Sequence, residues 1–370
     1  STLLASSAAS DVYKRQLYNF IPTDLWEGAK IHGNVYAVPT YKDSSLTQFW
    51  MLDDAYVQKY NIDIDSIKDY ATLNDALQTI KEGEGKSKYP MQLAQGSTFN
   101  GFFNNYDGLA SGLQPIGVKY DDASRKVVCT LEQDDIMDGL NWLHKWYQDG
   151  IINPDANVVT DGGKGSIFGS AQGWPAAATT WAFNSGIEKY DLTQVFGPLY
   201  TTETIQGSMN AISANSKYKT EALKVLQLMN TDSKFRDMCA YGTEGNYMEY
   251  AEDGTVQKLR DDWNWPSYTQ GTFFILSTQA DGDPDAWNQV KEQNESATAS
   301  TCLGFALDVT NIQNEIANCN TVWDKYKNDL LTGASDPATA VPACIEELKA
   351  AGLDTVIEEA QKQVDEFFAN

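Results

Sequence analysis

The side chains that most often carry acid–base or nucleophilic chemistry are scarce in this sequence. Only two histidines occur, His32 and His144, so general-base catalysis by histidine has two candidates. His144 follows an apolar position of a predicted helix and His32 precedes a predicted turn, which favours structural or solvated roles. Residues 165–169 (GSIFG) place their serine one position too early for a G-x-S-x-G elbow, and no phosphate-binding loop, dinucleotide glycine set or HExxH motif occurs. We therefore predict no catalytic residues and no cofactor.

Acidic residues are abundant, but their spacing carries little information. The chain has 51 Asp and Glu residues, so carboxylate pairs suited to glycoside cleavage arise by chance. Residues 281–285 (DGDPD) could offer oxygen ligands to calcium, but they lack EF-hand spacing, and a capped turn is the alternative. We predict no metal site.

Aromatic residues beside turn-forming residues are the positive chemical signal. The chain has 10 tryptophans and 19 tyrosines. A sugar ring has an apolar C–H face and a polar hydroxyl rim, so it suits a flat aromatic surface edged by Asp, Asn, Glu and Gln. The alternative for each tryptophan is packing in a core, to which we assign Trp142, Trp146 and Trp323 within predicted helices. The loop-like aromatic candidates are Trp174, Trp181, Trp263, Trp265 and Tyr268.

Charge and composition limit the possible partners. The 370 residues carry a net charge of −24, which repels phosphate backbones and anionic membranes and argues against nucleic acid. With 42% hydrophobic residues the chain is no disordered acidic tail, and its length allows two or more domains. No stretch approaches the roughly 18 to 20 apolar residues that span a bilayer.

The cysteines show no CxxC pair and no metal-ligand spacing. Their odd number argues against a disulfide framework, so buried free thiols are expected. Cys319 and Cys344 could nevertheless pair across two predicted helices. The five are Cys129, Cys239, Cys302, Cys319 and Cys344.

Apolar periodicity and turn residues predict alternating helices and strands, which fit α/β lobes with mostly parallel sheets. Residues 33–50 (GNVYAVPTYKDSSLTQFW) contain an apolar run that stops at Pro39 and a second strand, as in a crossing between two α/β units. Predicted strands cover residues 89–93, 127–130 and 209–213. Predicted helices cover residues 17–31, 53–60, 73–82, 99–110, 134–148, 220–229, 235–241, 317–331 and 353–368, with another beginning at Asp336-Pro337.

The first sixteen residues are predicted to be foreign to the fold. Residues 6–16 (SSAASDVYKRQ) read as a translation of the transposon-type adapter used in short-read library preparation, with residues 1–5 as preceding adapter and index. A native Ser/Ala-rich leader is the alternative. We expect residues 1–16 to be a non-native tail.

Short motifs near the C-terminus follow one another in a fixed order that resembles a known domain. They look like the DUF3502-type C-terminal domain of a subgroup of bacterial extracellular solute-binding proteins (family 1 type), lipoproteins that serve ABC importers. Residues 241–247 (YGTEGNY) are similar to that subgroup's G-x-E-G-x-x-Y turn, and residues 33–50 resemble the family's first crossing between lobes. The resemblance runs from residue 17 to the end. The C-terminal motifs are GFALD (304–308), EIAN (315–318), LTG (331–333), LKAAGLD (348–354) and QKQVDEF (361–367).

The resemblance implies an α/β, two-lobed periplasmic-binding-protein-like fold of type II with a helical C-terminal segment. Lobe 1 would comprise residues 17–41 and 204–300, truncated at its N-terminus because the family's lipid-modified cysteine and opening strands are not present. Lobe 2 would comprise residues 42–203, and residues 301–370 would pack on it as DUF3502-like helices. We expect this fragment to be less stable than the complete protein.

The resemblance also implies a function without chemistry on the ligand. We expect the substrate-binding subunit of an ABC importer, which captures an oligosaccharide between two lobes by hinge closure and delivers it to the permease subunits. A solvated turn acid is the alternative for Asp43. The candidate ligand contacts are Asp43, Trp50, Phe99, Asn100, Trp181, Glu244, Trp263, Trp265 and Tyr268.

The sequence is also compatible with two other functions. The same fold could bind peptides or amino-acid derivatives through charge pairing, and a secreted glycoside hydrolase is the second alternative. The resemblance implies an extracellular, monomeric lipoprotein on the surface of a Gram-positive bacterium. Its only link to the membrane would be a lost N-terminal lipid anchor.

Overall fold

A computed structural model describes residues 15–31, 33–162, 165–260, 262–263 and 265–369. Residues 1–14 of the expected non-native tail lie outside the described residues, as does His32. Residues 15–20 are helical. No helix in the described ranges combines the length and hydropathy needed to cross a bilayer.

Short strands and helices alternate along most of the chain. The helices are α1 (Thr23–Gly28), α2 (Asp54–Tyr60), α3 (Tyr70–Glu84), α4 (Asp134–Gln148), α5 (Ala178–Ser185), α6 (Thr202–Gln206), α7 (Lys219–Thr231), α8 (Ser233–Tyr241), α9 (Ala286–Glu295), α10 (Gln313–Leu331), α11 (Pro337–Ala350) and α12 (Leu353–Phe368). The strands are β1 (Lys30–Ile31), β2 (Asn34–Val35), β3 (Ala37–Pro39), β4 (Leu46–Asp53), β5 (Tyr106–Asp107), β6 (Ile116–Lys119), β7 (Val128–Cys129), β8 (Phe168–Gln172), β9 (Tyr190–Tyr200), β10 (Met209–Ala211), β11 (Met248–Tyr250), β12 (Val256–Lys258) and β13 (Thr298–Ala299). Single-turn 3₁₀ helices lie at Ile64–Ser66, Thr130–Glu132, Pro175–Ala177 and Ser267–Thr269.

The chain divides into two compact units. Unit 1 contains the chain up to Leu46, Trp174–Ala176 and Pro198–Ala306. Unit 2 contains Thr47–Gly173, Ala177–Gly197 and the chain from Leu307 onward. The sequence places the corresponding boundaries after residues 41, 203 and 300.

Unit 2 is built on a sheet in which β4 lies between β8 and the first part of β9. β4 and β8 are antiparallel and pair Trp50 with Ser170. The interior residues of β4 are buried whichever way they point, because both faces of the sheet are covered. α4 has the bounds that its apolar spacing predicts, and it buries Ile136, Leu140 and Leu143.

The C-terminal helices belong to unit 2, where α10 and α11 pack against α4. Gly333, just after α10, lies so close to α4 that a Cβ there would sit 2.2 Å from the Leu143 carbonyl oxygen. Its own carbonyl is 2.8 Å from Nδ1 of His144, which gives that histidine a structural role. α12 also has its predicted bounds, and its buried stripe consists of Leu353, Val356, Ala360 and Val364.

Unit 1 is held by short strand pairs and apolar clusters. β3 pairs antiparallel with β10, and β13 pairs in parallel with Leu199 and Tyr200 at the end of β9. The side chain of Asn294 on α9 accepts from the backbone N–H groups of Ser44 and Ser45, each at 3.2 Å. One cluster contains Leu17, Ile21, Leu25, Trp26, Ala29, Val38, Tyr41, Tyr200, Ile205 and Leu223. Another contains Ala240, Tyr241, Met248, Val256 and Leu276.

Several local predictions were wrong. Residues 99–110 form turns and the short strand β5 rather than a helix, because Gly101, Leu109 and Ala110 have φ values of +85°, +59° and +52°, which a right-handed helix excludes. Residues 89–93 form only an isolated bridge at Met91. The sheets are not mostly parallel: only β9 with β13 is parallel among the pairs whose register is described, and the consecutive strands β5, β6 and β7 pair antiparallel.

All five cysteines are free thiols, and four of them are buried. Cys319 and Cys344 therefore do not form the disulfide that the sequence left open. The Cys319 thiol instead donates to the carbonyl oxygen of Leu348 at 3.7 Å.

Candidate functional site

A cavity of about 620 Å³ lies in unit 2, beside β8. Neutral polar groups, aromatic rings and glycines make up its wall, and none of the described residues that line it carries a charge. The polar lining residues are Gln92, Ser97, Thr98, Asn100, Asn104, Gln114, Ser166, Ser170, Ser185 and Tyr190. The others are Met51, Leu93, Gly96, Phe99, Gly101, Phe102, Phe103, Phe168, Gly169 and Leu331.

Packed aromatic rings form the inner wall of this cavity. The rings of Phe99 and Phe168 are nearly parallel, with centroids 6.0 Å apart and an interplanar angle of 4°. Behind them, the Trp50 ring lies 5.9 Å from that of Phe99, and Tyr70 lies 6.1 Å from Trp146. Burial is the main cause that raises the pKa of Tyr70 to about 12, so its hydroxyl stays neutral at physiological pH. The inner wall is therefore packed and uncharged.

A chain of hydrogen bonds fixes the polar part of the wall. Gln48, only 2% exposed, donates through Nε2 to Ser170 Oγ at 2.8 Å. The Ser170 hydroxyl donates to the Asn100 carbonyl oxygen at 2.8 Å, and Asn104 Nδ2 donates to Gln48 Oε1 at 3.4 Å. These bonds hold amide and hydroxyl groups in place before any ligand arrives, which limits the entropy lost on binding.

Gly101 is required for this arrangement. Its φ of +85° lies in the left-handed region that favours glycine. A Cβ at this position would lie 2.7 Å from the Gln48 side chain and 2.8 Å from Asn104 Nδ2. A larger residue would therefore strain the backbone and displace the hydrogen-bonded pair.

Two glutamines in the wall differ in how their acceptor oxygens are used. Gln114 Oε1 accepts from the indole N–H of the buried Trp323 at 3.0 Å. Gln92 Oε1 is buried, and no hydrogen-bond donor reaches it from the described residues. A buried acceptor without a partner is costly, so this oxygen lowers the stability of the protein, while the rest of the Gln92 amide belongs to the cavity wall.

Four of the residues predicted to contact ligand lie in unit 2, and two of them reach the cavity. Phe99 and Asn100 line it, although they lie on a turn rather than at the start of a helix. Trp50 is buried behind Phe99 and does not line the cavity. Trp181 lies half-buried on α5 with its ring 6.1 Å from that of Phe49, and it does not line the cavity itself.

Asp43 lies in unit 1 and is not the solvated turn acid that was the alternative for it. Its side chain is only 14% exposed, and its carboxylate pairs with Lys42 Nζ at 3.0 Å. Burial raises the pKa of Asp43, and the Lys42 ammonium opposes that shift.

The remaining predicted contacts also lie in unit 1. Glu244 is exposed on the turn before β11, and Tyr268 is 58% exposed. Trp263 is held by its indole N–H, which donates to the Cys239 carbonyl oxygen at 3.1 Å. The indole N–H of Trp265 is buried without an acceptor among the described residues.

A second group of aromatic residues gathers in unit 1 around Phe273. Its ring lies 4.9 Å from that of Trp287 and 5.8 Å from that of Trp174. Within the described part of the chain, neither Trp174 nor Trp287 finds an acceptor for its buried indole N–H. Trp174 is a candidate from the aromatic pattern, whereas Trp287 lies on α9 and carried no loop signal.

The sequence did not reveal most of the cavity lining. Gln92, Asn104, Gln114 and Ser170 come from separate turns and a strand, so no single spacing joins them. The only local signal was the Gly96-Ser97-Thr98 turn that leads into Phe99. Across the described ranges no group of His, Cys, Asp or Glu is placed to hold a metal ion.

Comparison with known proteins places this fold among transport receptors. Residues 1–260 match the family model described as bacterial extracellular solute-binding protein, and residues 301–369 match the DUF3502 domain of unknown function. A carbohydrate ABC transporter substrate-binding protein of Streptococcus pneumoniae serotype 4 is 27% identical over 375 residues, which covers 98% of this chain and 76% of that protein.

Solved structures agree with this placement. The N-glycan transport solute binding protein NgtS of Streptococcus pneumoniae is 25% identical, with a TM-score of 0.83 over 97% of this chain and 82% of that one. Its complex with Man1GlcNAc gives a TM-score of 0.79 over 97% of this chain and 83% of that one. An HMO-binding solute-binding protein from Bifidobacterium longum infantis, 14% identical with a TM-score of 0.59 over 97% and 83% of the two chains, shares the fold alone. These matches confirm the predicted fold class.

Proposed function

Because the chain belongs to the bacterial extracellular solute-binding protein family, we propose that it is the substrate-binding subunit of an ABC importer and that its ligand is an oligosaccharide. The observation that carries the ligand class is the cavity in unit 2, whose wall joins aromatic rings to fixed, neutral hydroxyl and amide groups. The carbohydrate transporter relative and NgtS, which was solved with Man1GlcNAc, support the same class.

The cavity wall matches the two faces of a sugar ring. Phe102 and Phe103 supply apolar surface for the C–H face. Asn100, Ser170 and Gln92 supply donors and acceptors for the hydroxyl rim. A volume of about 620 Å³ lies within the range of about 300 to 1,000 Å³ usual for small-molecule sites.

In this proposal the protein binds its ligand without cleaving it. Glycoside hydrolysis requires two carboxyl groups beside the scissile bond, and the described lining of the cavity contains none. Delivery to permease subunits, a monomeric state and attachment at the cell surface complete the proposal and are supported by family membership. Hinge closure stays a prediction from the resemblance.

Calorimetric titration with a panel of oligosaccharides and peptides tests the proposal. We expect saturable binding of one sugar class, with no new saccharide detected by chromatography after prolonged incubation. Binding of peptides alone would favour the amino-acid-derivative alternative, and release of shorter sugars would favour the glycoside hydrolase.

Two neighbouring asparagines offer a matched pair of variants for the same titration. Asn104 lines the cavity, whereas Asn105 donates to Asp135 Oδ2 at 2.9 Å and does not line it. Asn104→Ala should weaken sugar binding, while Asn105→Ala should leave it unchanged. Equal affinities for the two variants would place the sugar elsewhere on the protein.

A further inference from the structure

The cavity differs from the rest of the chain in its lack of charge. Charged residues make up 21% of the sequence, and the net charge is −24. The described residues lining the cavity nevertheless include no Asp, Glu, Lys, Arg or His. The nearby carboxylate of Asp135 is engaged by the Tyr106 hydroxyl at 2.8 Å and by Asn105 Nδ2, outside the lining.

We infer that this cavity selects uncharged oligosaccharides and excludes those whose rings carry an acidic or a basic group. The inference rests on the proposed function and narrows its ligand class. It follows from the donors and acceptors of the wall, which are amides, hydroxyls and backbone groups.

An acidic sugar would lose its hydration without gaining a cation. A buried carboxylate is tolerated when an Arg or Lys pairs with it, and the described lining provides neither. The net charge of −24 adds a long-range repulsion of the same sign.

A basic sugar separates these two causes. Its ammonium group would find no carboxylate in the described lining, and the neutral amide and hydroxyl groups there are weak substitutes for one. The net negative charge, however, attracts cations at long range. A basic sugar should therefore bind weakly if the neutral cavity wall determines the affinity, and tightly if the net negative charge of the protein determines it.

Two matched pairs of tetrasaccharides test the inference by calorimetry near physiological salt. β-1,4-Mannotetraose is compared with tetramannuronate, which differs by a carboxylate at C6. Tetra-N-acetylchitotetraose is compared with its deacetylated glucosamine tetramer. For each pair in which a sugar binds, we expect the Kd of the uncharged member to be at least about 100-fold lower than the Kd of its charged twin.

Each result decides a different question. A charged twin that binds as well as the neutral sugar would overturn the inference and leave the oligosaccharide proposal standing. A glucosamine tetramer that binds more tightly than its N-acetylated twin, and loses affinity with salt, would show that overall charge decides. Failure of all four sugars and of the wider oligosaccharide panel would instead reject the proposed function.

A charge placed in the wall provides a second test. Gln92→Glu adds one carboxylate at nearly constant shape, and Gln148→Glu adds the same charge at an exposed site on α4. Only Gln92→Glu should shift preference from the N-acetylated to the glucosamine tetramer. If Gln92→Glu lowers the melting temperature sharply, the matched sugars on the unaltered protein still decide the question.

Discussion

Replacing Gln92 by leucine should stabilise the ligand-free protein and lower its affinity for the sugar. Gln92 Oε1 is buried without a donor among the described residues, and an unsatisfied buried acceptor costs about 1–3 kcal/mol. Gln92→Leu removes that acceptor at similar volume, so the free energy of unfolding should rise by about 1 kcal/mol. The same change removes the Gln92 amide from the cavity wall. A hydrogen bond from that amide to a sugar hydroxyl would be worth about 0.5–1.5 kcal/mol, so Kd should rise by about 2- to 12-fold.

The second glutamine of the wall is the matched control. Gln114 Oε1 accepts a hydrogen bond from the indole N–H of Trp323, a residue that is only 2% exposed. Gln114→Leu would leave that indole N–H buried without its acceptor, so it should lower the free energy of unfolding by about 1–3 kcal/mol. Two identical substitutions in one cavity should therefore change stability in opposite directions.

Urea denaturation followed by tryptophan fluorescence measures stability, and calorimetric titration with the best-bound oligosaccharide measures affinity. Gln148→Leu, at an exposed site on α4, should change neither. A Gln92→Leu protein that loses stability would show that its oxygen is satisfied in the free protein. One that keeps full affinity would show that the Gln92 amide does not contact the ligand.

Three further expectations concern a turn, a helix cap and the thiols. Gly101→Ala should lower the urea midpoint more than Gly96→Ala, because both glycines have positive φ but only Gly101 lacks room for a Cβ; equal midpoints would contradict this. Asp69→Ala should cost about 1 kcal/mol by removing the cap of α3. Hydrogen bonds from the backbone lower the pKa of Asp69, so its contribution is complete above about pH 4 and lost as pH falls through the lowered pKa. The urea midpoints of the variant and the unaltered protein should thus converge in acid, and a constant gap would contradict the linkage. Near pH 8, Ellman's reagent should modify the half-buried Cys239 before buried thiols such as Cys344. Burial raises the pKa of Cys344 to about 12, so its reactive thiolate form is rare. Equal modification rates for all five cysteines would contradict this order.

The sequence predicted elements whose apolar spacing is long and regular. α4 and α12 have their predicted bounds because each carries a regular apolar stripe, over 15 residues in α4 and 16 residues in α12. A glycine follows shortly after α4, and α12 ends where its apolar stripe ends. Residues 99–110 were predicted as a helix entered through Gly96-Ser97-Thr98, while positive φ at Gly101 and two later positions required turns. At Gly101 the left-handed backbone accompanies a close approach to the Gln48 side chain, which lies on β4 and is distant in sequence.

The candidate site was predictable only in part. Phe99 and Asn100 were identified from the resemblance, and both line the cavity. Residues such as Gln92 and Gln114 could not be identified from the sequence. The role of a neutral polar side chain depends on whether residues distant in sequence satisfy its hydrogen-bonding groups in the folded protein. Trp50 shows the converse, since its place in a strand did not reveal that its ring is buried behind the wall.

The C-terminal helices of unit 2 have a consequence for how the protein is made. Leu331 lines the cavity, and the Gly333 carbonyl meets His144 across 189 positions of sequence. Asp329 accepts from Asn157 across 172 positions. Contacts between such distant segments close late and slowly in folding. The cavity therefore reaches its full lining only after residue 331 has left the ribosome.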